Sequence, residues 1–143
     1  MADLGVWVLG RAPASVINPS EIQTTSFSQG SAGPFLTNVA ERFANVELAK
    51  EFMDLTAKTM NTCRTYTTNG STIHLGPATF PKLGDETFAV RASGSSPYGA
   101  IDGTVVYVRV GPRVASIQTL SFGPTQVSQN LVAFLTRMVE LRL

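Results

Sequence analysis

The segment at residues 103–110 (GTVVYVRV) constrains the fold most, because its β-branched and aromatic residues make it the strongest strand in the chain. A Gly-Pro pair follows and predicts a tight turn into a further strand at residues 113–122. Residues 86–92 (ETFAVRA) also alternate as a strand, before a turn-rich connection at residues 93–100. One face of the last strand carries Val114, Ser116, Gln118 and Leu120. These three strands predict an antiparallel meander.

Two shorter strands are predicted before this meander. Residues 64–68 and 71–75 flank Asn69 and Gly70, and Asn-Gly is the strongest two-residue hairpin signal because both turn positions need a positive φ. The sequence therefore predicts a β-hairpin here.

Two segments have helical spacing. Residues 46–61 place apolar residues mostly three and four apart, and Asn45 is a good N-cap for this helix. The second helix follows Gly123 and Pro124, and Pro124 is acceptable in its first turn. The apolar face predicted for the second helix consists of Val127, Leu131, Phe134, Leu135, Met138 and Leu141.

Residues 1–34 predict an irregular lead-in with short strands, at residues 5–9 and, more weakly, at 21–27. Residues 35–43 are compatible with a short strand or an early helix start, and we slightly favour the strand. No linker or repeat divides the chain, so residues 1–143 are interpreted as one domain. The predicted fold class is α+β, an antiparallel sheet of about five to six strands with one face covered by two main helices, the second of them C-terminal.

Composition argues against several classes of partner. The formal net charge of +1 is too small for a nucleic-acid footprint, and no stretch of about 18 apolar residues predicts a membrane span. The start of the chain lacks the features of a signal peptide, which fits a cytosolic protein or an excised domain. Cys63 is the single cysteine, so no intrachain disulfide is expected, and a small buried thiol is the favoured interpretation.

The inventory of reactive side chains predicts a domain that is not an enzyme and holds no metal or cofactor. His74 is the single histidine, and we interpret it as a surface or sheet-lining residue. The adjacent Asp85 and Glu86 are expected to be solvated charges at the start of a strand. A small hydrolase that uses His74 stays open as a third hypothesis.

If a ligand pocket exists, we expect it on the sheet face away from the helices or beside Tyr98 in the connection at residues 93–100. The candidate lining residues, chosen for their chemistry, are Tyr66, His74, Arg91, Tyr98 and Tyr107.

The segment at residues 80–111 (FPKLGDETFAVRASGSSPYGAIDGTVVYVRVG) resembles the actinobacterial extracellular sensor domains of PknH-type mycobacterial serine/threonine kinases and the secreted lipoproteins that share them. The similar features are a helix that ends near a cysteine, an LGDE turn at residues 83–86, a strand that ends in VRVG at residues 108–111, and a terminal helix. The resemblance covers roughly residues 35–143. The paired cysteines of the PknH type have no counterpart here, so no disulfide is carried over.

This resemblance implies an extracytoplasmic sensor domain of a receptor-type serine/threonine protein kinase, tethered to a membrane by a segment that this chain lacks. Its partners would be an unknown small ligand or cell-envelope component, and a homodimer fits such a receptor. The alternative function is a stand-alone secreted lipoprotein-type protein that binds a small apolar ligand. For the location of the chain, secreted and cytoplasmic both stay open as alternatives to membrane anchoring.

Overall fold

The computed structural model of the chain describes residues 17–62, 64–68, 70–124, 127–140 and 142. In these residues, seven strands form one antiparallel sheet, and two helices pack against it. The elements are β1 (Glu21–Ser28), β2 (Phe35–Arg42), α1 (Val46–Thr62), β3 (Thr65–Thr68), β4 (Ser71–Pro77), β5 (Glu86–Ser96), β6 (Gly99–Val110), β7 (Arg113–Phe122) and α2 (Gln129–Glu140). The α+β class is confirmed. The predicted strand at residues 5–9, Cys63 and Asn69 lie outside the described residues.

The strands follow the order β1-β2-β7-β6-β5-β4-β3 across the sheet. The sheet has more than the predicted five to six strands, because the weak segment at residues 21–27 forms a full strand that pairs with β2 along its whole length. The strand interpretation of residues 35–43 is also confirmed, and β2 pairs with β7. The N-terminal hairpin β1–β2 thus extends the meander β5–β6–β7 on one side, and the hairpin β3–β4 extends it on the other.

The turn between β3 and β4 and the turn between β5 and β6 differ in how well they were predicted. The hairpin β3–β4 is confirmed, with Thr68 paired to Ser71 and Gly70 at a φ of 75°. The predicted connection at residues 93–100 is wrong, since β5 and β6 continue until Ser96 pairs with Gly99. Glycine is needed inside β5, because a Cβ at residue 94 would overlap the carbonyl oxygen of Thr72 on β4. Gly94, although glycine is typical of loops, therefore lies where strands β4 and β5 approach each other closely.

Helix α1 begins as predicted. The side-chain Oδ1 of Asn45 accepts a hydrogen bond of 2.9 Å from the backbone N–H of Leu48, which satisfies one of the free donors of the first turn. The apolar positions Ala49, Phe52 and Met60 are buried, in agreement with the predicted face of this helix.

The helices lie on opposite faces of the sheet, so the prediction that both cover one face is wrong. Val105 and Tyr107 of β6 belong to a core cluster with Phe52 of α1, called here the α1-side core. Val106, between them, packs in a second cluster with Val132 of α2, called here the α2-side core. Adjacent residues of a strand point to opposite faces. β6 is therefore buried on both sides.

Helix α2 differs from its prediction in its start and in its buried face. It begins at Gln129, so Pro124 precedes it rather than lying in its first turn. Val132 and Thr136 are buried, whereas Leu131, Phe134 and Met138 are 49%, 60% and 38% exposed. Apolar residues occur on several sides of this helix, so their spacing alone does not select the face that packs on the sheet. Neither helix in the described part of the chain is long and apolar enough to cross a membrane.

Candidate functional site

An apolar cavity of about 460 Å³ lies at the end of the sheet where β1, β2 and β7 run side by side. Its walls come from three strands, and its large apolar side chains are Phe27, Phe35, Leu120 and Phe122. The other residues that line it are Ser26, Ser28, Thr37 and Gln118. Its volume falls in the range of about 300–1,000 Å³ that is typical of small-molecule sites.

The strand register brings these residues to one face. Ser28 lies opposite Phe35, which in turn lies opposite Leu120, and residues directly opposite in an antiparallel pair share a face. Phe35 and Leu120 both contact the α1-side core, so the cavity opens on the face that carries α1. Phe27 lies between Ser26 and Ser28 in the edge strand β1, so its position alternates with theirs, and it still lines the cavity.

Aromatic rings build one wall of the cavity. The rings of Phe35 and Phe122 meet edge to face, with centroids 6.0 Å apart. Tyr98, in the turn between β5 and β6, contacts Phe122 in the same geometry at 6.5 Å and is 82% exposed. Such edge-to-face contacts add to the stabilisation from burial. They give the wall a defined shape, with Tyr98 on its outer side.

Gln118 is the most deeply buried polar residue of the cavity lining, with 4% of its surface exposed. Its side-chain Oε1 has no hydrogen-bond partner among the described residues. The hydroxyls of Ser26 and Thr37, by contrast, bond to each other at 3.3 Å. Most buried polar atoms in folded proteins have a partner, so this oxygen, which is itself buried, is an exception.

Two of the five candidate residues from the sequence, Tyr66 and Tyr107, lie in the α1-side core. Tyr107 is fully buried, which together with the nearby negative charge of Glu41 raises the pKa of its phenol well above the usual range. Its hydroxyl therefore stays neutral in the folded chain. Both rings are packing residues of the core, and neither lines the cavity of Phe35 and Gln118.

His74 and Arg91 are exposed on the opposite face of the sheet. The Oγ1 of Thr65 lies 3.2 Å from Nδ1 of His74, and the guanidinium of Arg91 donates to Asp102 at 2.9 Å. The structure therefore does not bring the five candidates together. Tyr98 contacts Phe122, which lines the cavity, and a ligand role for each of the five stays a prediction.

Asp85 and Glu86, expected to be solvated charges at the start of a strand, keep 54% and 36% of their side-chain surface exposed and share one partner. Arg109 donates to Asp85 at 3.2 Å and to Glu86 at 3.1 Å. β5 begins at Glu86, and Asp85 lies just before the strand. The alternation of side chains along a strand therefore does not force these two carboxylates to opposite faces. No group of three His, Cys, Asp or Glu residues that could hold a metal ion occurs within the described residues.

Sequence reasoning did not find the cavity residues, although one signal was present. Gln118 shares a strand face with Val114 and Leu120, and a glutamine on a buried face is unusual enough to mark a site. The pairing of β2 with β7 is what completes the cavity around it. No periodicity within either strand specifies that pairing.

The geometry can be compared with known proteins. No protein-family model matches the sequence, and no curated protein sequence matches it. A search of solved structures finds the extracellular domain of PknH from Mycobacterium tuberculosis, with a TM-score of 0.64. The fold resembles that of a kinase extracellular domain. The superposition covers 90% of this chain and 68% of the PknH chain at 14% sequence identity, so the similarity establishes a shared fold.

Proposed function

We propose that this chain is the extracytoplasmic sensor domain of a receptor-type serine/threonine protein kinase, which binds a ligand or dimerises to regulate the kinase inside the cell. The observation that carries this proposal is the likeness to the PknH extracellular domain over 90% of the chain. In this proposal a membrane segment outside the chain anchors the domain. Fold likeness at this identity is an argument by analogy, so the proposal also needs a site.

The cavity supplies such a site. It lies between the N-terminal hairpin β1–β2 and strand β7 of the meander, so a ligand there would contact both parts of the sheet. A ligand stabilises the state to which it binds best, by an amount set by its concentration and affinity. Binding would therefore favour the arrangement in which hairpin and meander are joined, and this is the change that a receptor could transmit.

A topology experiment on the complete gene product tests the proposal. A reporter enzyme that is active only outside the cytoplasm is inserted directly after this chain, and a control fusion carries the same reporter in the kinase domain. We expect activity from the first fusion alone. A complete gene product with no membrane segment, signal or lipid-attachment site, or an inactive first fusion, overturns the proposal.

The second candidate function is a stand-alone secreted lipoprotein-type protein that binds a small apolar ligand. The apolar walls formed by Phe27, Phe35 and Phe122 favour it, since they suit such a ligand without any coupled kinase. The sequence of the complete gene product distinguishes the two candidate functions. A lipid-attachment signal without a kinase domain supports the second candidate and removes the first.

A further inference from the structure

We infer that the outer face of α2, together with the arginines at its C-terminal end, binds an anionic membrane surface. The large apolar side chains that this helix exposes are Leu131, Phe134 and Met138. They follow one another at spacings of three and four residues, so they form one stripe along the helix. Three of the six large apolar side chains that the described residues expose therefore lie on one short helix. An apolar patch of this kind marks an interaction surface.

A group of exposed arginines lies at the C-terminal end of α2. Arg42 of β2 is directly opposite Arg113 of β7, and both line a pocket of about 330 Å³ with Arg142, which follows α2. Glu21 and Glu41 also line this pocket, so three cations share it with two carboxylates. The Glu21 carboxylate lies 3.9 Å from Arg42 and both side chains are exposed, so this pair contributes little. Like charges directly opposite in a sheet are unfavourable, and an anion at the pocket would relieve them.

Further positive charge lies beside the apolar stripe. Phe134 and Arg137 line a second pocket together with Pro81 and Leu83. Lys82, between those two loop residues, is exposed, as is Arg137. The single acidic residue in the sequence of α2 is at its last position. The stripe is therefore next to cations on its loop side and at the C-terminal end of the helix.

This combination of apolar and cationic groups decides the kind of partner. At the surface of an anionic bilayer, exposed apolar side chains enter the boundary of the acyl chains, while basic side chains contact the lipid phosphates. Arginine suits this role because its guanidinium can bond a phosphate through two N–H groups. A second copy of the chain fits less well, since a two-fold contact through this face would bring Arg137 and its neighbours against the same cations of the copy.

The formal net charge of +1 does not reveal this surface. Arg42, Arg113 and Arg142 are far apart in the sequence, and the pairing of β2 with β7 and the position of α2 bring them together. The charge is thus concentrated in space although it is nearly balanced over the chain.

Sedimentation of the purified chain with lipid vesicles tests the inference. Vesicles of phosphatidylcholine alone are compared with vesicles in which phosphatidylglycerol replaces part of it. We expect binding to the anionic vesicles that weakens as salt is added, and much weaker binding to the neutral ones, because salt screens the attraction and neutral lipid lacks it. Equal binding to both kinds of vesicle, or binding to neither, overturns the inference.

Two pairs of variants assign the binding to this surface. Arg42→Gln should weaken binding to the anionic vesicles about fivefold, whereas Lys50→Gln, which removes the same charge from α1 on the other face of the sheet, should leave it unchanged. Phe134→Ser should weaken binding about tenfold, because it removes an exposed apolar side chain from the stripe. Tyr98→Ser is its control, since Tyr98 is 82% exposed outside this face. Urea unfolding shows that each variant folds.

The outcomes also separate this inference from the proposed function. Equal losses in a variant and its control would show that the binding does not use this face. Dimerisation of the chain that Phe134→Ser abolishes, without binding to vesicles, would make the face an interface between copies and would overturn the inference. Neither result changes the reporter experiment, which decides the extracytoplasmic placement independently.

Discussion

Arg109 and Asp85 form an ion pair of 3.2 Å that joins the end of β6 to the loop before β5. The Arg109 side chain is 7% exposed, so its charge depends on this pair and on Glu86. The Asp85 carboxylate also accepts a hydrogen bond of 2.8 Å from the backbone N–H of Gly111. One partly exposed carboxylate therefore holds both a buried cation and the turn between β6 and β7.

The first prediction removes this carboxylate. Asp85→Ala should lower the free energy of unfolding by about 1–2 kcal/mol, because it takes away charge-assisted hydrogen bonds while Glu86 still neutralises Arg109. Asp54→Ala on the exposed side of α1 is the control and should cost less than about 0.5 kcal/mol. Urea denaturation measures both, and equal losses would mean that the ion pair contributes nothing specific.

The second prediction concerns the close approach of β4 and β5. Gly94→Ala should destabilise the chain by at least about 2 kcal/mol, because its Cβ would overlap the backbone of Thr72 and force the strands apart. At Gly76, which lies in the neighbouring strand β4, a Cβ would meet nothing within 4 Å. Gly76→Ala should therefore change stability by no more than about 0.5 kcal/mol. Thermal unfolding of the two variants provides the comparison, and a similar effect of both would contradict this packing.

The third prediction tests which face of α2 packs on the sheet. Val132 is fully buried against Val106 and Val108, whereas Phe134 is 60% exposed. Val132→Ala should cost about 2 kcal/mol, and Phe134→Ala, although it removes a larger side chain, less than about 1 kcal/mol. Chemical denaturation should show this order. The reverse order would place the predicted apolar face of the helix against the sheet after all.

The fourth prediction follows from the raised pKa of Tyr107. An unfolded tyrosine has a pKa of about 10. Below that pH the phenol is neutral in both states and its contribution to stability is fully present. Above it the unfolded chain loses the proton and the folded chain keeps it, so stability should fall by about 1.4 kcal/mol per pH unit.

Urea unfolding between about pH 8 and pH 11 measures this slope around the reference pKa. Tyr107→Phe has no proton to lose at this position, so its stability should fall less steeply over the same range. Parallel curves for the two proteins would show that Tyr107 ionises normally in the folded chain.

Local signals in the sequence identify the elements that local chemistry determines. Asn45 caps α1, and the Asn-Gly pair marks the hairpin β3–β4, because each effect depends on neighbouring backbone groups. The same reasoning failed for the turn between β5 and β6. Glycine and serine usually mark loops, but Gly94 is in a strand because another strand passes too close for a side chain.

The placement of helices on both faces of the sheet could also be predicted in part from the sequence. The run Val105, Val106, Tyr107 and Val108 is apolar at every position, which is typical of a strand buried on both faces. That run therefore indicates that neither face of the sheet at β6 is left exposed to solvent. The candidate site was beyond such reasoning, because Gln118 and Phe35 meet in one cavity only through a strand pairing between distant parts of the chain.

The pairing of β2 with β7 has a consequence for how the chain folds. Phe35 lies opposite Leu120, so this contact closes a loop that contains most of the chain, whereas β5, β6 and β7 follow one another directly. Closing a long loop costs more entropy before any contact repays it, and such contacts form slowly. We expect the meander to form first and the N-terminal hairpin to dock last, so that the cavity between them exists only once folding is complete.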